Sequence, residues 1–161
     1  MNKGGSGVYV VKGVEFSGNF AHTIDPKGRV TIPSVYREAL ADGFTIGLNN
    51  QFVAIALYPT AVWEAKCEQL RRIPESDIKG TKYVRLITGN SFSGCELDGQ
   101  GRILLPATLR QKAGLDKGIR FVGMGQYLEI WDESRYVAEC EQSEDNIDDL
   151  LNYVNGQYYQ S

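Results

Sequence analysis

His22-Thr-Ile-Asp-Pro-Lys-Gly-Arg-Val-Thr-Ile-Pro33 returns 73 residues later as Cys95-Glu-Leu-Asp-Gly-Gln-Gly-Arg-Ile-Leu-Leu-Pro106. The register holds without a gap beyond the motif: Arg37 falls on Arg110, Ile46 on Ile119, Leu57 on Ile130, Trp63 on Tyr136 and Cys67 on Cys140. Self-similarity at a fixed offset marks an internal duplication. The first copy is read as residues 16–88 and the second as 89–143. Residues 1–15, with Gly4 to Gly7, read as a flexible extension. Residues 144–161 read as a helical tail, because Ile147, Leu150, Leu151 and Val154 recur at helical spacing.

Each copy changes period in the same order. Phe20, His22 and Ile24 alternate with small or polar neighbours, a tight turn follows at Asp25 to Gly28, and Val30 to Ile32 resume an extended run, which predicts a hairpin. Pro33 can open a short helix carrying Val35, Tyr36, Ala39 and Leu40, closed by Gly43. Extended runs are expected at 44–48 and 52–57 around the turn-prone pair Asn49-Asn50, then a longer helix after Pro59. An extra helical stretch, 77–87, bridges the copies. About five short strands and one or two helices make too little core for one copy to stand alone, so the copies must share a sheet. The expected architecture is an α+β pseudo-dimer whose interleaved hairpins form one small barrel, with helices packed at its ends.

With 161 residues and 42% hydrophobic content, the chain can bury an ordinary core. No apolar run reaches bilayer length and the N-terminus lacks the order of a signal peptide, so a cytoplasmic protein without a membrane partner is expected. Cys67, Cys95 and Cys140 make an odd count without C-x-x-C spacing and His22 is the only imidazole. Neither a disulfide frame nor a zinc cage can be assembled, and the cysteines are expected to be buried apolar residues. From Glu129 onward nine acids face Arg135 alone, a local charge of −8, so the −3 of the whole chain leaves +5 on residues 1–128. A basic body with an acidic tail suits phosphate contact on one face and self or partner contact on another; ordinary solvated helix faces are the bland alternative.

Both copies set Asp, two spacers, Gly and Arg at the turn: Asp25, Gly28, Arg29 and Asp98, Gly101, Arg102. An aspartate opening a turn can accept backbone N–H bonds, glycine tolerates positive φ, and the arginine lies within reach of the carboxylate. Such a turn can be merely self-braced. It can also present Arg29, with Lys27 beside it, to phosphates and base edges, since a guanidinium has five donors and one carboxylate uses at most two or three.

Phe16-Ser-Gly18, Asp25-Pro-Lys-Gly-Arg29-Val-Thr-Ile-Pro33 and Tyr36-Arg37, with Asp98-x-x-Gly-Arg102-x-x-x-Pro106 and Leu109-Arg110, resemble the MraZ family over about residues 16–155. One copy is also similar to the swapped-hairpin, AbrB-type DNA-binding domain. The resemblance implies a double-split, swapped-hairpin barrel that assembles into a ring-shaped homo-oligomer. It also implies regulation of the division and cell-wall operon through direct repeats in double-stranded DNA at its promoter, hence a nucleoid-associated protein. Carried over by position, Lys27, Gly28, Arg29 and Arg102 contact DNA, while Asp25, Asp98 and Gly101 brace the turns. Arg37 and Arg110 are further candidates, with ion-pair anchoring of the short helix as the alternative role. Gln100 replaces Lys27 in the second turn, so the two turns are expected to contribute unequally.

An enzyme is not expected: no Ser or Cys has a base at definable spacing, and Gly89, Gly94, Gly99 and Gly101 lack the Lys-Ser/Thr ending of a phosphate loop. Neither a cofactor nor a small-molecule substrate is called for. The rival reading is an antitoxin-like interaction module whose acidic tail occupies a partner.

Overall fold

The computed structural model describes residues 15–160; the expected flexible extension lies, apart from Glu15, outside the described residues. The first copy runs β1 (Asn19–Thr23), β2 (Arg29–Thr31), α1 (Ser34–Arg37) with a 3-10 turn at Glu38–Leu40, β3 (Phe44–Leu48), β4 (Ile55–Pro59), α2 (Thr60–Leu70) and α3 (Ile78–Gly89). The second repeats the order as β5 (Phe92–Cys95), β6 (Arg102–Leu104), α4 (Ala107–Lys112), β7 (Gly118–Gly123), β8 (Leu128–Asp132), α5 (Glu133–Asp145) and α6 (Ile147–Tyr158). The prolines mark the helix starts one residue early: Pro33, Pro59 and Pro106 are the N-cap residues immediately before α1, α2 and α4. Asp77 caps α3 by accepting from the Gly80 N–H at 2.9 Å.

Strand pairing follows the duplication. The six-stranded sheet has the order β1-β7-β8-β4-β3-β5, and β2 and β6 form a separate two-stranded ribbon. Exchanging each strand for its counterpart in the other copy leaves both orders unchanged, so the chain has a pseudo-twofold axis. The register locates that axis, because Ala56 pairs with Glu129 and Val30 with Ile103, each residue meeting its own equivalent. The strands predicted as a hairpin therefore part at the turn. β1 pairs with β7 and β2 with β6, so each strand finds its ladder in the other copy.

The expected α+β class and shared sheet are present, but the barrel is not closed. β1 and β5 remain the two edges of the sheet, and the three-residue ribbon strands pair only with each other. The ribbon instead closes one face of the sheet by packing: Val30, Ile32, Ile103 and Leu105 join Ile46, Ile55, Leu57, Phe121, Leu128 and Ile130 in one core, with Tyr36 and Leu109 of the short helices. On the other face, Tyr58 lies tilted against Trp63 of α2 and Trp131 packs edge-on with Tyr136 of α5. Among the described residues no helix is long and apolar enough to cross a membrane.

Two local expectations change. The strand expected at 52–57 begins only at Ile55, because Asn49 organises the preceding loop: its Oδ1 accepts from Val53 N at 3.0 Å and Ala54 N at 3.3 Å, and Phe52 takes φ 61°. The three cysteines are free but half-buried, not interior. Cys67 and Cys140 ride on α2 and α5, helices without a fully buried residue, which lie on the sheet as surface layers.

Asn49 also spans the copies. Its Nδ2 donates at 2.8 Å to Glu129, a carboxylate buried in the sheet that also accepts from Trp131 Nε1 at 2.8 Å. Opposite Glu129 stands Ala56, so no second carboxylate faces it across the pseudo-dyad. A buried acceptor stripped of a donor bears its full desolvation cost. Asn49→Ala is expected to lower stability by about 3 kcal/mol in urea unfolding; a loss below about 0.5 kcal/mol would mean that Glu129 is not held in this way.

Candidate nucleic-acid interface

Both turns have one construction. Asp25 N donates to Arg29 O and Gly28 N to Asp25 O, both at 2.9 Å, and the second copy repeats these bonds at 3.0 Å between Asp98, Arg102 and Gly101. The aspartate carboxylates then fill the inside. Asp25 Oδ1 accepts from the N–H groups of Lys27 (2.9 Å) and Arg29 (2.8 Å), while Oδ2 accepts from Arg29 Nε at 2.7 Å. Asp98 Oδ1 accepts from Gln100 and Arg102, both at 2.8 Å, and Oδ2 from Arg102 Nε at 2.9 Å. Gly28 and Gly101 have φ of 85° and 75°, the left-handed region where a Cβ is penalised.

Each arginine spends only its Nε on the carboxylate. Among the described residues no partner is recorded for the Nη groups of Arg29 or Arg102, whose side chains are 31% and 29% exposed. Each side chain is half-buried, and the brace leaves its Nη donors unspent. Lys27 is exposed at the first tip and Gln100 at the second.

The ribbon register decides which way these groups point. Arg29 stands opposite Leu104 and Thr31 opposite Arg102, and directly paired residues share a face. Val30 and Ile103 between them are buried in the core, so Arg29, Thr31, Arg102 and Leu104 form the solvent face. Leu104 is 61% exposed there. Sequence reasoning missed Thr31 and Leu104; the signal was the alternation about Val30 and Ile103, which names the outward neighbours once the two strands are known to pair.

Arg37 and Arg110 do something else. Arg37 Nε donates to Ile32 O at 2.8 Å and Arg110 Nε to Leu105 O at 3.2 Å. Their guanidinium groups cross the pseudo-dyad: a Cβ on Gly101 would lie 2.5 Å from Arg37 Cζ, and one on Gly28 3.0 Å from an Arg110 Nη. The ribbon ends cross as well, with Ile32 N donating to Gly101 O at 2.9 Å and Leu105 N to Gly28 O at 3.0 Å. The alternative role, ion-pair anchoring of the short helix, is not what the described residues show: carbonyl contacts and packing on the opposite turn take its place. His22 lies in β1 against Phe121, ring centroids 5.2 Å apart.

Four arginines and Lys27 thus surround two carboxylates at the ribbon end. Backbone N–H donation from Arg29, aided by its side chain and by the Lys27 N–H, holds the Asp25 carboxyl below its ordinary 3.8. Donation from Arg102 does the same for Asp98.

Two turns of one design, each seated on the other copy's strand and arginine, define an internally duplicated swapped-hairpin protein. The family described as "MraZ protein, putative antitoxin-like" matches residues 16–86 and 92–151. The chain is 39% identical over 145 residues to "Transcriptional regulator MraZ" of Lachnoclostridium phytofermentans, covering 87% of this chain and 95% of that one. It is 42% identical over 135 residues to the protein of the same name from Desulfitobacterium hafniense (81% and 90% covered) and 41% over 140 residues to that of Moorella thermoacetica (84% and 93%). The chain belongs to the MraZ family, whose relatives are named as transcriptional regulators and not as enzymes.

A depressed folded-state pKa means that each aspartate stabilises the turn above its unfolded value near 3.8 and ceases to do so as pH falls through the lower folded value. Carboxyl carbon NMR titration is expected to give midpoints below 3.8 for Asp25 and Asp98. A midpoint at or above that value for either would contradict the bracing geometry.

Proposed function

We propose that the chain is a sequence-specific DNA-binding transcriptional regulator that reads duplex DNA with the solvent face of the β2–β6 ribbon. The observation that carries this reading is the ribbon itself: a two-stranded antiparallel element whose outward face holds two braced arginines with free Nη donors. The major groove admits a two-stranded ribbon, and bidentate arginine donation to guanine is the commonest specific contact made there. Arg29 and Arg102 act as the probes, and Lys27 adds a phosphate contact that Gln100 cannot match. Gly28 and Gly101, both buried, shape the turns and make room for Arg110 and Arg37 of the opposite copy, while Asp25 and Asp98 hold the guanidinium groups. Arg37 and Arg110 position the opposite turns and keep their outer nitrogens near the backbone of the duplex.

The repeats 16–88 and 89–143 act as one reader, and the tail 144–161 serves assembly. The sites are direct repeats in the promoter of the division and cell-wall operon, bound by a ring-shaped homo-oligomer in the cytoplasm at the nucleoid. Head-to-tail interfaces present successive protomers in one sense, as direct repeats require and palindromes do not. So few cations per protomer give weak binding singly; tethered protomers on consecutive repeats raise avidity by roughly 10² to 10⁴. The family description's "antitoxin-like" favours one rival, a module that sequesters a toxin partner.

Mobility shifts are expected to give far tighter binding to a probe with four repeats than with one, weakening steeply with salt. Equal affinities would contradict cooperative assembly. Arg29→Ala is expected to weaken specific binding by roughly 10- to 100-fold with an unchanged circular dichroism spectrum. An unfolded variant would reduce Arg29 to a turn brace. A tight complex with a small protein that forms without affinity for promoter DNA would favour the rival.

A further inference from the structure

The pseudo-dyad relates α2 to α5 as well as the strands, and each of these helices is followed by a further one. α2 packs on β3 and β4, α5 on β7 and β8, so the arms α2–α3 and α5–α6 sit on opposite halves of the sheet. The two arms differ in charge. α3 carries Lys79, Lys82 and Arg85 and no acid. On α5–α6, Glu133 is engaged by Arg120, which leaves Glu139, Glu141, Glu144, Asp145, Asp148 and Asp149; Arg135 turns to the Ala113 carbonyl at 2.9 Å. Among the described residues neither the three cations nor these six carboxylates have an ion-pair partner.

Both arms also expose apolar surface. At 100° per residue, Ile78, Lys79, Lys82, Arg85 and Leu86 fall on one arc of α3, with Ile78 75% and Leu86 49% exposed. On α6, Ile147, Leu150, Leu151, Val154 and Tyr158 make one stripe, flanked by Asp148. Ile147, Leu150, Leu151 and Tyr158 are each at least 45% exposed, and the helix has no buried residue. A helix of 12 residues is marginal in water without tertiary cover. A second α6 would bring the acids of two arms together. The basic, apolar-centred face of α3 offers attraction.

We propose that α6 of one copy docks on the outer face of α3 of the next, apolar stripe on Ile78 and Leu86, with the acidic arm against Lys79, Lys82 and Arg85. Such a contact joins two different patches and is therefore heterologous, adding protomers head to tail. It deepens the ring reading given under the proposed function and rests on it. Electrostatic complementarity fixes the partner choice and disfavours α6 meeting α6.

Two full-length variants test this, Lys79→Glu/Lys82→Glu/Arg85→Glu on α3 and Leu150→Asp/Leu151→Asp on α6. Both alter exposed residues, and circular dichroism checks the fold of each. Light scattering on the unaltered protein is expected to give a large assembly, and each variant alone the monomer mass of 17.9 kDa. Mixing them is expected to give a 1:1 dimer only, joined through the one intact α3 and the one intact α6. If the α3 variant still assembles while the α6 variant does not, α6 pairs elsewhere and the docking is overturned, with the ring reading intact. Failure of the mixture to dimerise also overturns it. An unaltered protein that is monomeric overturns both.

Discussion

Backbone hydrogen bonding across the pseudo-dyad is the constraint from which the other features follow, because β1 finds its ladder in β7 and β2 finds its ladder in β6. Peptide groups left unpaired in a core are costly, so neither copy can complete its own sheet alone. Duplication within one chain supplies the missing strands at high local concentration. The ribbon is the outcome closest to function: three residues from each copy, with Val30 and Ile103 inward on the axis and two arginines outward beside it.

Rigidity at the turns comes from the same exchange. An Asp-Arg pair in a free loop would contribute little, being exposed and screened. Here each turn is filled by its own aspartate and also seated on the other copy, through the Gly28 and Gly101 carbonyls and through Arg110 and Arg37. A guanidinium held at Nε and open at its fork loses little further freedom on meeting a ligand, and pre-organisation of this kind lowers the cost of binding. The proposed reading of DNA rests on that stiffness more than on the number of cations.

The duplication was legible in the sequence because the motif at 25–29 and its echo at 98–102 keep an ungapped register through the following strands. Proline and glycine marked the helix starts and the turns for local steric reasons that no partner alters. Strand partners were not legible: the alternation of Phe20, His22 and Ile24 is the same whether the ladder lies within the copy or across it. The closed barrel was expected because the copies must share a sheet; the shared sheet is present but stays open, with the short ribbon packed on one face. Arg37 and Arg110 were candidates by residue type, but their contact with the opposite glycine spans 64 and 82 residues of chain, a distance over which local pattern says nothing. Thr31 and Leu104 gained meaning only from the register, and the mismatch in charge between the two arms only from their places on opposite halves of the sheet.

The proposed function stands on contact between the outward face of the ribbon and the duplex. Arginine Nε–Hε resonances, followed by NMR as a promoter duplex is added, test it most directly because each guanidinium reports for itself. With the ribbon against DNA, Arg29 and Arg102 are expected to shift or broaden first, while Arg71 and Arg72, beyond the end of α2, stay where they are. Unmoved Arg29 and Arg102 signals with perturbation confined to the helical arms would contradict it.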